Sequence, residues 1–419
     1  MNVEIINIGD ELLIGQVVNT NAAWMAEQLN LHGFPVIRIS VVSDDRDHIL
    51  NALAEAESRS GVVLISGGIG PTKDDITKTT LCEFFGTRLI FNEEAFHDIE
   101  ILFRRRGFNV TELNRKQADL PENCIAIPNK LGTARGMWFE KDRAEGGKTL
   151  FISLPGVPFE MKAMMTDEVI PRLKKVIRPQ SIYHKTILTQ GIGESFLAAL
   201  IGAWETFLPS HIRLAYLPQP GIVRLRLTGT GVDGLLLRRQ IKAEVAKLEK
   251  IIPEYIFGYD EETLEEIVGS LLKAAGATLS TAESCTGGYI AHLLTRIPGS
   301  SAYFKGSVVA YANELKEEIL GVRPETLSEH GAVSEQVVLE MAAGAQRLLK
   351  TDYVIAVSGI AGPDGGTAEK PPGTTWIAVA GTDGAFAKHY LFGDNRERNI
   401  RRTALQALNM LRKAILPGK

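Results

Sequence analysis

Residues 61–75 read GVVLISGGIGPTKDD. An apolar, β-branched run is followed by three glycines, a proline and two carboxylates. A short continuous apolar run bounded by turn residues fits a strand buried on both faces. Glycines at its end let a ligand approach the backbone closely. Working outward, VEIINIG (3–9) has the same texture and runs into the acids Asp10 and Glu11. NTNAAWMAEQLNLHG and DRDHILNALAEAES have helical periodicity, PVIRISVVS lies between them as a strand, and KTLFISLPG (148–156) is a further strand. This alternation implies parallel strands joined by right-handed crossovers, with helices on both faces. Ligands of such sheets sit outside the carboxyl ends of the strands. GDE, GGIGPTKDD and LPGVP all fall there. Paired carboxylates beside glycines suit a phosphate held with a divalent metal. Asp74 or Asp75 is equally suited to cap the helix that follows.

The remaining chain sets bounds. At 419 residues, two or three domains are expected. A net charge of −4 gives no basis for non-specific binding to nucleic acid or an anionic membrane. No apolar run reaches the ~18 residues of a membrane span. The start, MNVEIINIGDELL, is acidic and lacks a cleavage pattern, so a cytoplasmic address is expected. Three scattered cysteines and eight histidines without HxxxH spacing argue against a disulfide framework or zinc.

Near Arg178-Pro179-Gln180 the texture changes. YHKTILTQG and GIVRLRLTGTG alternate like half-exposed strands, and ESFLAALIGAWETF reads as a helix, enough for an α+β module of ~75 residues. Strand–helix alternation then resumes. Asp260 is placed to cap EETLEEIVGSLLKAAG, and Gly276 to end it. STAESCTGG (280–288) follows as a strand running into a helix, with Ser284, Cys285 and Thr286 each a candidate nucleophile. A helix start with glycines also suits an oxyanion or phosphate. In SVVAYANELKEE, Lys316 becomes a base if burial depresses its pKa, and Tyr311 can relay a proton. SGIAGPDGG and KPPGTTW offer further N–H donors, and the arginines of FGDNRERNIRRTA a clamp for an anion.

In this order, TAESCTGG, the Tyr311–Lys316 pair, GAVSEQV, SGIAGPDGG and KPPGTTW resemble the C-terminal domain of the competence/damage-inducible CinA family, from about Glu261 onward. That domain is similar to nicotinamide mononucleotide deamidase, which releases ammonia and forms nicotinic acid mononucleotide. The resemblance implies Ser284 as nucleophile, Lys316 as base and Tyr311 assisting. It implies substrate contacts from Thr286, Gly287, Gly288, Ser358, Gly359, Gly373, Thr374 and Arg396, and no cofactor. GDNRER has one residue more than the commonest family spacing, so Arg398 stands as the alternative to Arg396. Cys285, without a base, reads as a small buried neighbour.

GDELL, GGIGPTKDD, NRKQADLP, GTARG and LPGVPFEM resemble the molybdopterin-binding fold as it occurs in CinA proteins, over about residues 1–175. The resemblance implies metal-dependent hydrolysis of ADP-ribose, although related domains handle molybdopterin. Gly67, Gly68, Gly70, Thr72, Asn114, Gln117 and Gly156, with Arg115, would reach the nucleotide. Asp10, Glu11, Asp74 and Asp75 would hold the divalent metal. The middle part resembles the family's KH-like module but lacks a basic GxxG loop, so a spacer or dimerisation role is expected and nucleic acid is not.

The expected fold class is therefore α/β in three parts. These are a three-layer molybdopterin-binding-type domain (1–176), a KH-like α+β module (177–255) and an α/β deamidase domain (256–419). The expected function is a bifunctional enzyme of pyridine-nucleotide recycling, a homodimer with small nucleotides as partners. The alternatives are a deamidase with a nucleotide-binding regulator in front, or a nucleotide sensor in competence.

Overall fold

The computed structural model describes residues 1–416 apart from 73, 106, 144, 145, 178 and 180. The expected change of texture at Arg178 and Gln180, and Lys73 of the glycine loop, lie outside the described residues. The chain divides into two compact units: Met1–Tyr183 with Thr230–Leu237, and His184–Gly229 with Arg238–Lys419.

The first unit contains β1 (Val3–Ile8), β2 (Val36–Val42), β3 (Val62–Ser66), β4 (Leu89–Phe91), β5 (Asp119–Pro121), β6 (Ile125–Ile127), β7 (Gly136–Asp142) and β8 (Lys148–Leu154). Six of these form one sheet in the order β2-β1-β3-β8-β7-β6, and β4 pairs with β5 separately. β1 pairs in parallel with β2 and β3, and β3 with β8. β1 is buried throughout because helices cover both faces: Val3 and Ile5 enter one core, Ile6 and Ile8 the other. The helices α1 (Thr20–Leu31), α2 (Arg46–Arg59) and α3 (Thr77–Phe84) supply residues to these cores, including Met25, Leu53 and Leu81. The all-parallel expectation fails at the edge. β7 runs antiparallel to β8, because the short connection between them cannot carry a parallel crossover. Nor does Asp74 or Asp75 cap α3, whose N-cap is Ile76 without side-chain help. Asp75 instead accepts the Thr72 N–H (2.9 Å) and hydroxyl, closing its own turn.

The next sheet, of order β10-β11-β9-β12, is built from β9 (Ser181–Gln190), β10 (Ile212–Gln219), β11 (Ile222–Gly231) and β12 (Ile256–Tyr259), with α4 (Glu194–Thr206) between β9 and β10 in the chain; its residues 184–229 and 256–259 belong to the second unit. The second unit continues with α5 (Leu264–Ala275), β13 (Leu279–Glu283), α6 (Tyr289–Thr295), β14 (Phe304–Val309), α7 (Asn313–Glu318), α8 (Glu335–Leu349), β15 (Tyr353–Gly359), β16 (Thr374–Gly381), β17 (Gly384–Leu391) and α9 (Arg396–Ile415). Their sheet order is β14-β13-β15-β16-β17. β13 pairs in parallel on both sides, so the crevice for a ligand lies beyond its carboxyl end. Thr263, in a capping box with Glu266, starts α5. Asp260 was expected there, but its carboxylate is taken by Lys185 and the Thr186 N–H. Gly276 ends α5 in the left-handed region, φ 62°. Phe257, expected in the C-terminal domain, lies on β12, which completes the KH-like sheet, and with Leu188 and the partly buried Ile222 it packs in the same cluster as Leu264, Ile355 and Leu408.

Candidate active sites

The C-terminal site grows from the end of β13. Glu283 is wholly buried. One carboxylate oxygen accepts the Thr286 hydroxyl (2.7 Å) and the N–H groups of Gly288 (3.1 Å) and Ile290 (3.0 Å). The other accepts the Ala291 N–H (2.8 Å) and the Thr281 and Ser307 hydroxyls. The start of α6, expected as a substrate cradle built from Thr286, Gly287 and Gly288, is therefore already filled by the chain's own carboxylate. Gly287 donates to the Ser284 carbonyl. Gly287 (φ 58°) and Gly288 (φ 94°) make the left-handed turn that lets Glu283 reach back. Among the described residues, the N–H groups of Cys285 and Thr286 donate to no other residue. They flank the Ser284 hydroxyl, the Cys285 N–H lying against its own thiol.

Ser284 is 8% exposed, and its hydroxyl makes no hydrogen bond among the described residues. Its N–H donates to Val357, extending the ladder to β15. Burial pushes the Cys285 thiol up to about 12, so the thiolate is excluded near neutrality. Lys316 is 1% exposed. Its ammonium donates to the carbonyls of Ala310 (2.9 Å), Tyr311 (3.2 Å) and Ala312 (3.4 Å), and burial holds its pKa below the ordinary lysine value. Lys316 and Ser284 share no hydrogen bond, because the ammonium is spent on these three carbonyls.

Tyr311 is 59% exposed, and its hydroxyl accepts from Arg396 (2.9 Å). Arg396 also donates to the Gly362 carbonyl (3.1 Å). Arg398 lines a different cavity, beside Pro218 and Phe392. Ser358 spends its hydroxyl on the Ala332 carbonyl (2.6 Å), and Thr374 on that of Pro371 (2.6 Å). A Cβ on Gly359 would lie 3.0 Å from the Cys285 sulfur, and one on Gly373 (φ 89°) 2.2 Å from the Gly393 carbonyl. These positions thus shape the wall through backbone approach. Sequence reasoning missed Glu283, although an acid immediately before Ser284 at a strand end was its signal.

In the first unit, a cavity of about 450 Å³ opens at the carboxyl ends of β1, β3 and β8. Gly67, Gly68, Gly70, Gln117, Gly156, Glu11, Asp74 and Asp75 all line it. A Cβ on Gly67 would fall 2.1 Å from the Ile8 carbonyl, and one on Gly68 2.2 Å from the Thr77 hydroxyl, so both positions of this loop need glycine. Thr72 orders Asp75. Asp10 is exposed and donates its N–H to Asp44 (3.1 Å). Asn114 does not reach the cavity, because it is spent in a capping box with Thr111. Arg115 instead lies over the Phe91 ring. Asp44, unrecognised in the sequence, stands on the wall. Burial raises its pKa, opposed by the Asp10 N–H and helped by the charges of Asp10, Glu11 and Asp75. Among the described residues, no three His, Cys, Asp or Glu side chains converge to hold a metal ion, so the expected four-acid metal site is not preformed. No described helix is long and apolar enough to cross a membrane.

Three stretches of the chain match family models. Residues 261–415 match the model of the CinA C-terminal domain, 4–175 that of a probable molybdopterin binding domain, and 184–258 that of the damage-inducible protein CinA KH domain. A CinA-like protein of Cytophaga hutchinsonii is 47% identical over 98% of this chain and 97% of its own. One from Flavobacterium psychrophilum is 47% identical over 99% of both. The crystal structure of the competence/damage inducible protein CihA from Agrobacterium tumefaciens is 42% identical over 36% of this chain and 94% of its own, with a TM-score of 0.35.

Proposed function

The chain belongs to the CinA family, and from that premise we propose that it is a two-site hydrolase of pyridine-nucleotide recycling. In the C-terminal site the Ser284 oxygen attacks the carboxamide carbon of nicotinamide mononucleotide, and its proton passes to a neutral Lys316 amine. The oxyanion that forms is met by the free N–H groups of Cys285 and Thr286. The C–N bond then breaks as the nitrogen takes the proton from Lys316 and leaves as ammonia. Water hydrolyses the serine ester to the carboxylate, with Lys316 again as base. Arg396, fixed by Tyr311 and Gly362, faces the substrate's phosphate. The observation that supports this reading is the arrangement at Ser284: among the described residues its hydroxyl has no hydrogen bond, and the N–H groups of Cys285 and Thr286 donate to no other residue. The test is ammonia release from nicotinamide mononucleotide. Ser284→Ala is expected to lose at least about a thousandfold with the fold intact, and full activity in that variant overturns the assignment. The assembly in this reading is a homodimer, with small nucleotides as the partners.

For the first unit we propose hydrolysis of ADP-ribose to AMP. The cavity wall carries Glu11, Asp44, Asp74, Asp75 and Glu160, and no lysine or arginine among its described residues. A diphosphate entering such a wall brings counter-cations with it. Magnesium-like ions take one or two protein carboxylates and share the phosphates, so they need no three-residue cage. In this reading one or two of Glu11, Asp44 and Asp75 would hold such an ion, and the ion would supply charge neutralisation and a polarised phosphoryl oxygen. AMP release from ADP-ribose with magnesium, manganese or cobalt, lost in Asp44→Asn, is the expected result. No release with any of them in wild type leaves this unit as a nucleotide-binding regulator.

A further inference from the structure

α9 carries a polar stripe that neither site uses. Arg402, Gln406, Asn409 and Lys413 follow each other at four, three and four residues. They therefore share one helix face over about 16 Å. They form one wall of a groove of about 560 Å³ within the second unit. The turn that starts α4, from Gln190 to Glu194, stands on the same groove. α4 is 13 residues long, its N-cap is Gly193, and no side chain caps it. The N–H groups of Glu194, Ser195 and Phe196 accordingly have no acceptor among the described residues.

A second observation is independent of the helix end. Gln190 lines the groove at 2% exposure, and its amide oxygen has no partner. Its amide nitrogen has one marginal contact, 3.5 Å to Gln406. A buried amide left open in this way costs free energy that a ligand's polar atoms recover. Charge points the same way. Arg402 spends one donor on the Phe392 carbonyl (3.0 Å), leaving most of its guanidinium free. Lys413, whose side chain reaches solvent, stands near Arg412 and Lys388, with Glu254 as the opposing charge, and partial desolvation followed by those cations depresses its pKa. An anion relieves that crowding. Among the described residues, Glu194 is the one acid on the wall.

We propose that this groove, where the KH-like module meets the C-terminal sheet, binds a phosphate-bearing small molecule of nucleotide size. Its phosphate meets the α4 start, Arg402 and Lys413, and its polar ring or amide atoms meet Gln190, Gln406 and Asn409. The volume suits a small ligand. The absence of a basic GxxG loop and the net charge of −4 disfavour an RNA strand. The groove also runs along Tyr390 and Phe392, the strand end that leads into the turn carrying Arg396.

The test is calorimetric titration of the full chain with inorganic pyrophosphate and with AMP, comparing wild type, Lys413→Ala and Gln190→Leu. Lys413 is exposed, so its removal leaves the fold intact, and Gln190→Leu probes the buried wall separately. At least one binding event should weaken tenfold or more for pyrophosphate in Lys413→Ala, and for AMP in Gln190→Leu. Unchanged isotherms in both variants overturn the proposal. So does a six-nucleotide RNA that binds more tightly than AMP in a Lys413-dependent way. Ammonia release is not read, so failure here is distinct from failure of the deamidase reading.

Discussion

Ser284 and Cys285 are adjacent, yet their surroundings differ in kind. The thiol is buried against Gly359 and held near 12, whereas the serine hydroxyl has no partner to lose on attack. Cys285→Ala should accordingly keep most of the ammonia release that Ser284→Ala loses. Lys316 makes a pH prediction with a definite sign. Its burial lowers the pKa, so the neutral amine is half-populated below the ordinary lysine value of 10.5. Activity should rise with pH along a limb whose midpoint lies below that value. Lys316→Met should remove the limb and cost about 100- to 10,000-fold in rate. In the sequence, Ser284 and Tyr311 drew attention as polar side chains at strand ends and Lys316 as a cation in the helical stretch that follows; the burial of Lys316 inside α7 was not readable there. The roles of Asn114 and Arg115 were not readable either, since a cap and a ring contact compete for the side chains the resemblance sends to the ligand.

Glu283 joins three elements: its own strand β13, the neighbouring β14 through Ser307, and the start of α6. Glu283→Gln places an amide group among donors that need acceptors. The second unit should lose about 3 kcal/mol in urea denaturation, and an unchanged midpoint would show that the carboxylate is dispensable. In the first unit, Lys78 ties α3 to the segment entering β5 through the carbonyls of Gln117 and Asp119. Burial lowers its pKa from 10.5 to about 8. Between those values the unfolded chain holds the proton that the folded one has shed, so stability rises with pH there. The rise approaches about 3 kcal/mol and should be absent in Lys78→Met. Below pH 8 both states are protonated and the slope vanishes.

Across the whole chain, the middle module is more than a spacer, because Leu188, Ile222 and Phe257 lie in the core of the C-terminal sheet. Phe257→Ala should cost about 3–5 kcal/mol. Calorimetry should show the KH-like sheet and the C-terminal sheet melting together, and two separate transitions would contradict a shared core. The amino-acid order alone determined the α/β class, the KH-like interruption and the glycine loops at strand ends, because hydrophobic period and turn chemistry are local properties. It also gathered the candidate nucleophiles Ser284, Cys285 and Thr286 in one short turn. Tertiary structure alone decided that Glu283 fills the helix start, that Asp44 joins the acidic wall, that Arg396 rather than Arg398 meets Tyr311, and that α9 faces Gln190 across a groove. Those outcomes depend on burial and on contacts between segments far apart in the chain, which local periodicity does not encode.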